Sequence, residues 1–506
     1  MNVSISTVAR DLGTNISGMQ AAITLYALTM AAFMLTGGKL GDIWGRRNAF
    51  KIGSVVYGIG SLTTALAPSL TVLLLGWSLV EGLGAILVIP AIAALAAANY
   101  KGRDRIVVFS ILGAVTGLAA AVGPLIGGFV TTYFSWRYVF AAETVVMAVI
   151  LLVANRITDQ KPQSRPALDI PSVALSASGM GLLVFGVLQS KSWGWITPLG
   201  APEINGMPVT PFGISLVAYL ILAGALVLWM FYSRQIRLES EGKDALLKVS
   251  MLKIPELRGG LSVLMSQFFT IAAIFFVVPV YLQTILGYDA LQTGLKLLPL
   301  SVGLMLFSVL GSQMSARQSA KQIVRLGQAG LALGSLLLLG AIEPELKGIL
   351  FMAGMFVVGA GFGMLASQLG NVTMSAVRKD DSAEVGGLQG TFQNLGTSFG
   401  TALVGSVFIL TLTSGFTQAV QQSSDIPQQS KEQIVASAEK GIQIVSPDQA
   451  EQLVRQAGGS QQTAQTVKDL YGKSQLDSLR QGLFIVFAFA VLSLAFSRGL
   501  PGNIKG

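Results

Sequence analysis

The sequence contains neither cysteine nor histidine. Disulfides and thiol chemistry are therefore excluded, and so are metal sites built on thiolate or imidazole. The side chain that ordinarily titrates near neutrality is also missing, so any proton path runs through carboxylates, hydroxyls or water. Charge of either sign is scarce: Asp, Glu, Lys and Arg make up 12% of the 506 residues, about half the share of a soluble domain. No Walker A pattern and no paired nucleophile and base occur, which argues against ATP-driven pumping by this chain alone and against an enzyme. No metal and no cofactor is expected.

What is abundant is apolar or small. Hydrophobic residues make up 52% of the chain, glycines number 58, and the mean hydropathy is +0.64. A soluble protein of this composition would expose large adhesive patches, whereas a bilayer accepts them, and glycine lets membrane helices approach closely. Apolar stretches near twenty residues recur, bounded by charges or turn residues. They predict spans at 17–37, 49–68, 71–97, 106–131, 137–155, 170–188, 212–232, 259–285, 291–314, 322–341, 348–369, 385–412 and 481–498. The expected fold class is all-α, a polytopic membrane protein of thirteen full spans.

The formal charge of +9 does not point to nucleic acid, because the basic residues sit between apolar segments. One set of alternate loops, with the tail, holds 23 of them, including Lys39, Arg46, Arg47, Lys101, Arg103, Arg105, Arg378 and Lys379. The opposite short loops hold only Arg10, Arg137, Lys191 and Lys347. The positive-inside rule assigns the first set to the cytoplasm. Residues 233–258 read as a charged cytoplasmic linker. Residues 413–480, rich in Gln, Ser and Ala, read as extracytoplasmic, either as a short amphipathic hairpin or as a solvated loop. Lys296, inside a span near its outer end, reads as a snorkelling lysine.

One cytoplasmic stretch has a spacing that a plain loop does not need: Gly38-Lys39-Leu40-Gly41-Asp42-Ile43-Trp44-Gly45-Arg46-Arg47. Its glycines permit a tight turn between packed helices, Asp42 suits a helix N-terminus, and Arg46 and Arg47 anchor the membrane edge. A second stretch, Gly123-Pro124-Leu125-Ile126-Gly127-Gly128, combines a bending proline with a flat glycine face. The first resembles the loop signature of the major facilitator superfamily, G-x-L-x-D-x-x-G-R-[KR]. The second resembles the antiporter motif of its exporters, with Ala119 in place of the first glycine.

The resemblance implies two six-helix bundles held together on the inner side by Asp42, whose partner would lie at the start of the span near Glu384 to Gly400. With two spans inserted between the halves, the layout is similar to the 14-span drug:proton antiporter family (QacA/EmrB-like). The stretch 2–12 resembles the end of that family's first span, so that span is expected to be incomplete here. In the span 71–97 the family's R-x-x-Q-G pattern reads Ser78-Leu79-Val80-Glu81-Gly82, which removes any arginine-based relay.

Glu81 and Glu143 are the carboxylates buried within spans. Such groups are costly in lipid and usually face a water-filled cavity, so they are the candidate proton and substrate sites, Glu81 leading. A structural carboxyl bonded to a neighbouring helix is the plainer alternative. The domain reading is 1–155 for the N-terminal bundle, 156–258 for the insert and linker, and 259–506 for the C-terminal bundle with its outer loop.

The function implied is proton-driven export of small amphipathic, cationic drugs or toxic compounds by alternating access. Its partners would be the substrate, protons and the lipid bilayer, with the protein a monomer in the inner or plasma membrane of a bacterium. Export of an endogenous metabolite, lipid or siderophore, or a non-transporting receptor or scaffold, remains open.

Overall fold

The computed structural model describes residues 5–14, 16–158, 167–204, 207–377, 382–439, 442 and 444–502. These residues are almost wholly helical. After a short α1 (Ile5–Asp11) come α2 (Ile16–Trp44) and α3 (Arg46–Ala65). Next, α4 (Leu70–Leu73) runs through a π-helical segment, Leu74–Glu81, into α5 (Gly82–Asn99) as one continuous span. Then follow α6 (Gly102–Tyr133), α7 (Arg137–Ala154), α8 (Ile170–Trp193) and α9 (Leu216–Ser240). A two-residue hairpin, β1 (Glu203–Ile204) and β2 (Met207–Pro208), lies in the α8–α9 connection. The second half comprises α10 (Pro255–Val280), α11 (Ala290–Met314), α12 (Ala320–Ala341), α13 (Gly348–Ser375) and α14 (Ser382–Gln422). It closes with α15 (Gln428–Glu439), α16 (Pro447–Gln456) and α17 (Gln461–Ser493).

Eleven of these segments are long and apolar enough to cross a membrane. With α3 and α6, long helices occupy all thirteen predicted positions. Local chemistry sets several boundaries. Asp289 and Ser319 begin α11 and α12 with capping boxes to Gln292 and Gln322, which satisfy backbone donors left free at a helix start. Gly45 has φ +88° at the α2–α3 junction, a conformation that a Cβ disfavours. The outward faces of α7 and α9 carry exposed Val145, Leu152, Leu222 and Trp229, as a lipid-facing surface should.

Within the first half, α2, α3, α5 and α7 pack together; within the second, α10, α12, α13, α14 and α17 do so. The halves meet where α2 and α5 lie against α14, and where α6 lies against α11 and α13. The inserted pair α8 and α9 forms a hairpin, with Gly179 against Leu228 and Gly224 against Leu183. Its α8 also packs on α2 and α14.

Two readings of the sequence need correction. Residues 233–258 are not a free charged linker. α9 continues to Ser240, and Ala245, Leu246, Leu247, Val249 and Met251 are buried. Gln235 Oε1 accepts from the amides of Leu246 and Leu247 at 2.9 and 3.2 Å. The two leucines and Met251 join a core with Leu35, Ala97, Phe109, Met374 and Val385. The segment is a strap seated between the halves, and its apolar residues outweigh its charges.

Residues 413–480 are not a solvated loop; the helical alternative holds in part, with short helices α15 and α16, but α14 and α17 also run through the segment. α14 is 41 residues long, about 60 Å at 1.5 Å per residue, twice the hydrocarbon thickness. It and α17 project beyond the membrane and carry α15 and α16 as a packed cap, with Val420, Ile426, Ala450 and Val467 buried in it.

Candidate functional site

The first half is assembled through glycine. A Cβ on Gly60 would lie 2.4 Å from Glu81 N, and one on Gly84 would lie 2.4 Å from Tyr57 N. At Gly53 and Gly76 the nearest atom would be 2.7 Å away. No larger residue fits at these points, so α3 and the α4–α5 span touch backbone to backbone. The contact carries a register shift. From Gly84 to Gly76, eight residues, the partners on α3 move from Tyr57 and Gly53 to Thr64 and Gly60, seven residues. The π segment absorbs the extra residue, and Glu81 ends it. Such bulges recur at functional sites.

This close contact places Ser61 of α3 between the two predicted carboxylates. Ser61 Oγ lies 2.8 Å from Glu81 Oε2 and 3.3 Å from Glu143 Oε2. The structure therefore brings Glu81 and Glu143 together, their oxygens no more than about 6 Å apart. Glu81 is 2% exposed; Glu143, on α7, is partly buried. The Tyr57 side chain also lies beside Glu81. Beside the pair, Trp77 stacks on Tyr26 at 5.4 Å and meets Phe140 edge-on at 6.4 Å. Ser78, which stands where the family pattern has arginine, donates to the Ala22 carbonyl of α2 at 2.8 Å. It is a helix-to-helix bond, with no charge to relay.

A hydroxyl has one proton to donate. Ser61 can satisfy one carboxylate at a time, which leaves the other able to take up a proton or a cationic partner. Two acids, one hydroxyl and flanking aromatic faces can hold either, since aromatic faces attract cations.

The loop signature lies at the other end of α2 and α3. Arg47 donates to the Ile157 carbonyl at 3.2 Å, tying the start of α3 to the end of α7. Gly387 of α14 approaches Gly38 and Leu35, so the predicted meeting of α2 with the start of α14 is present. The ion pair across it, however, is made by Lys39 and not by Asp42. Lys39 Nζ lies 2.9 Å from Glu384 Oε1, with both side chains under 5% exposed. Glu384 Oε2 also accepts from the amide of Lys248 in the strap at 3.3 Å. Asp42 sits beside Lys39, Arg46, Lys248 and Glu384. Gly41 and Gly45 are buried in the turn and Arg46 flanks it.

A second clamp joins the halves on the same side. Arg105 of α6 donates to Asn371 Oδ1 and Ser375 Oγ of α13 at 2.8 and 2.5 Å. Arg378 and Lys379 lie outside the described residues. Both clamps and the strap thus join the halves on this side.

The Gly123–Gly128 motif stands apart from both sites. α6 passes through Pro124 without a break. A Cβ at Gly123 or Gly128 would meet nothing within 4 Å, while Leu125 of the same motif packs against Gly294 of α11. Gly127 is partly buried. Lys296 lies over the Tyr288 ring, its Nζ 5.8 Å from the centroid.

Outside the predicted set, Lys39, Ser61, Tyr57 and Glu384 are the residues that complete the two sites. The insert has its own anchor: Asp169 accepts from Arg234 twice at 2.8 Å and caps α8 at the Ser172 amide. The Arg234 guanidinium holds the Asp169 carboxyl down to about 2.

Comparison with known proteins agrees with this architecture. The profile of the Major Facilitator Superfamily matches residues 1–401. The chain is 29% identical to the probable actinorhodin transporter of Streptomyces coelicolor, over 84% of this chain and 72% of that protein. It is 26% identical to the puromycin resistance protein pur8 of Streptomyces alboniger, over 80% and 77%. It is 24% identical to the multidrug resistance protein Stp of Mycobacterium tuberculosis, over 82% and 73%. Among solved structures it shares its fold with the human organic anion transporter MFSD10, at a TM-score of 0.52 and 14% identity over 94% of this chain and 88% of that one. The proton:xylose symporter XylE aligns at a TM-score of 0.50 and 14% identity, over 94% and 90%. The chain belongs to the major facilitator superfamily and is a multi-pass membrane transporter, not an enzyme.

Proposed function

We propose that this transporter exports small amphipathic cations in exchange for protons, by rocking an N-terminal bundle (1–155) against a C-terminal one (259–506) around a site near the membrane midplane. One observation carries the reading: Glu81 and Glu143 share the hydroxyl of Ser61. A proton on the pair and a cationic substrate beside Trp77 then compete for the same negative charge, which is what obligatory exchange requires. Closure of the cytoplasmic side by Lys39–Glu384 corresponds to the state that releases substrate outward and takes up a proton. The proton motive force is the energy source. One charge crossing 100 mV is worth about 2.3 kcal/mol, enough for roughly a fiftyfold gradient of a neutral substrate at about 1.4 kcal/mol per tenfold. A monovalent cation exchanged for one proton would draw on the pH difference alone.

The relatives named for drug resistance support a broad substrate range. The relative named for actinorhodin supports a second reading, export of one endogenous metabolite. Purified protein in sealed vesicles with an imposed pH gradient tests both. Proton release that depends on an added cationic dye supports the first reading, and release that depends only on neutral amphiphiles supports the second. Wild-type protein that moves substrate with no proton flux, or Glu81→Gln that retains coupling, refutes the assignment of the pair.

A further inference from the structure

The extracytoplasmic cap holds a cavity that the transport cycle proposed above does not use. It is about 420 Å³ and is walled by the outer end of α14, by α15 and α16, and by the start of α17. Phe416 and Tyr471, edge to face at 5.5 Å, form part of its wall. Ala450 and Val467 are buried in the wall, and Leu453 is 53% exposed where it lines the cavity. A core this small is ordinarily close-packed, with voids no larger than a water molecule. A space of several hundred Å³, mostly apolar with a few polar groups, is instead the usual form of a small-molecule site.

The distribution of charge defines the ligand. Among the described residues lining the cavity, none is ionisable as an acid or a base near neutrality; their polar side chains are hydroxyls and one amide, from Ser430, Ser437, Thr463, Tyr471 and Gln433. Yet the same helices are rich in charge. Lys468 pairs with Asp448 and Glu451, and Arg455 pairs with Glu451. These pairs lock α16 to α17 and itself while staying out of the cavity. An ionised ligand would be desolvated there with no opposite charge to meet it. An uncharged one would bury its apolar body and find hydroxyls for a carbonyl or an ether.

We propose that this cavity is a second ligand site, outside the membrane, for an uncharged amphipathic small molecule of drug size. It is separate from the carboxylate pair and does not depend on proton coupling.

Photolabelling of the full-length protein in phosphatidylcholine nanodiscs tests the assignment, with a hexyl ether of 4-hydroxybenzophenone as the uncharged probe. Mass spectrometry of the digest maps the cross-links. The expected result is saturable labelling within residues 428–471. It should fall at least tenfold in Ala450→Trp, which fills the space, and in Leu453→Arg, which puts a charge at an exposed position and leaves the buried packing alone. Glu432→Ala, on the exposed face of α15, should label like the wild type. Glu81→Gln should keep the cap labelling whatever its transport, which separates this site from the carboxylate pair. Labelling confined to the membrane helices overturns the proposal, as does cap labelling that survives Leu453→Arg. Labelling of the same cap residues by a photoactivatable phosphatidylcholine that competes with the probe also overturns it, since the occupant is then bilayer lipid.

Discussion

Replacing Glu384 by Gln removes one partner of an ion pair that exists only while the cytoplasmic ends of α2 and α14 are together. Nζ and Oε1 are 2.9 Å apart and almost fully buried. At an effective dielectric near 20 their attraction is about 6 kcal/mol. Much of it is offset by the cost of drying both charges, so the pair itself contributes little net stability. The single substitution differs, because it leaves Lys39 charged and dry without its ion-pair partner, with Asp42 as the nearby acid. Breaking one side of a buried pair typically costs about 3–5 kcal/mol. Opening the cytoplasmic side returns Lys39 to water and relieves that cost.

At the lower figure the equilibrium between closed and open forms shifts by more than a hundredfold, using about 1.4 kcal/mol per tenfold. The natural absence of cysteine makes the assay clean. A single Ala97→Cys, buried in the same core as the strap leucines, reports opening through its rate of maleimide labelling. Glu384→Gln should speed labelling by one to two orders of magnitude. The double variant Lys39→Met, Glu384→Met should return it close to the parent, since neither half of the pair is left charged without the other. A double variant as open as the single one, or a single one as closed as the parent, refutes the reasoning.

Three further outcomes are expected. Ser61→Ala removes the shared donor and should lower the rate of proton-coupled efflux in vesicles without changing membrane expression, with Glu81→Gln more severe; equal activity of all three proteins counts against the shared-hydroxyl geometry. Gly60→Val places a side chain where even a Cβ would be 2.4 Å from Glu81 N, and overpacking of about 1–3 kcal/mol or more should appear as a lower melting temperature in detergent. The Asp169–Arg234 pair stabilises the fold in proportion to the depression of the Asp169 carboxyl, to about 2 from an ordinary 3.8. That contribution is full above about pH 4 and is lost as pH falls toward 2, so Asp169→Asn should flatten the stability profile in that window. The loss should be at most about 1 kcal/mol, because the pair is partly exposed.

The spans were legible because lipid imposes one requirement, some twenty consecutive apolar residues, that composition alone reveals. Glu81 and Glu143 stood out for the same reason, as charges inside such runs. Ser61 did not: a serine in a glycine-rich helix is unremarkable, and what singles it out is a contact with carboxylates on two other helices. Lys39 was read as loop charge because the apolar run ends near residue 37, while α2 continues to Trp44 and carries Lys39 into the contact with α14. The signature draws attention to its acid, yet the bond to Glu384, 345 residues away, belongs to the lysine. The packing of the strap and the full extent of the cap were hidden for opposite reasons. Ala245–Met251 is too short and too flanked by charge to register as apolar. The outer halves of α14 and α17 are polar enough to hide helices that run on past the bilayer.

The extra residue in the π segment also fixes what a deletion would do. Removing one position between Gly76 and Gly84 would let the chain wind as an ordinary α-helix while both glycines kept their places on α3. The side chains in between would be left one register out, and the carboxyl of Glu81 would swing away from Ser61. The bulge thus works as a dial, setting the direction of an acid whose own backbone lies in the seam that holds the helices. A one-residue shortening here would leave a folded carrier with nothing to load.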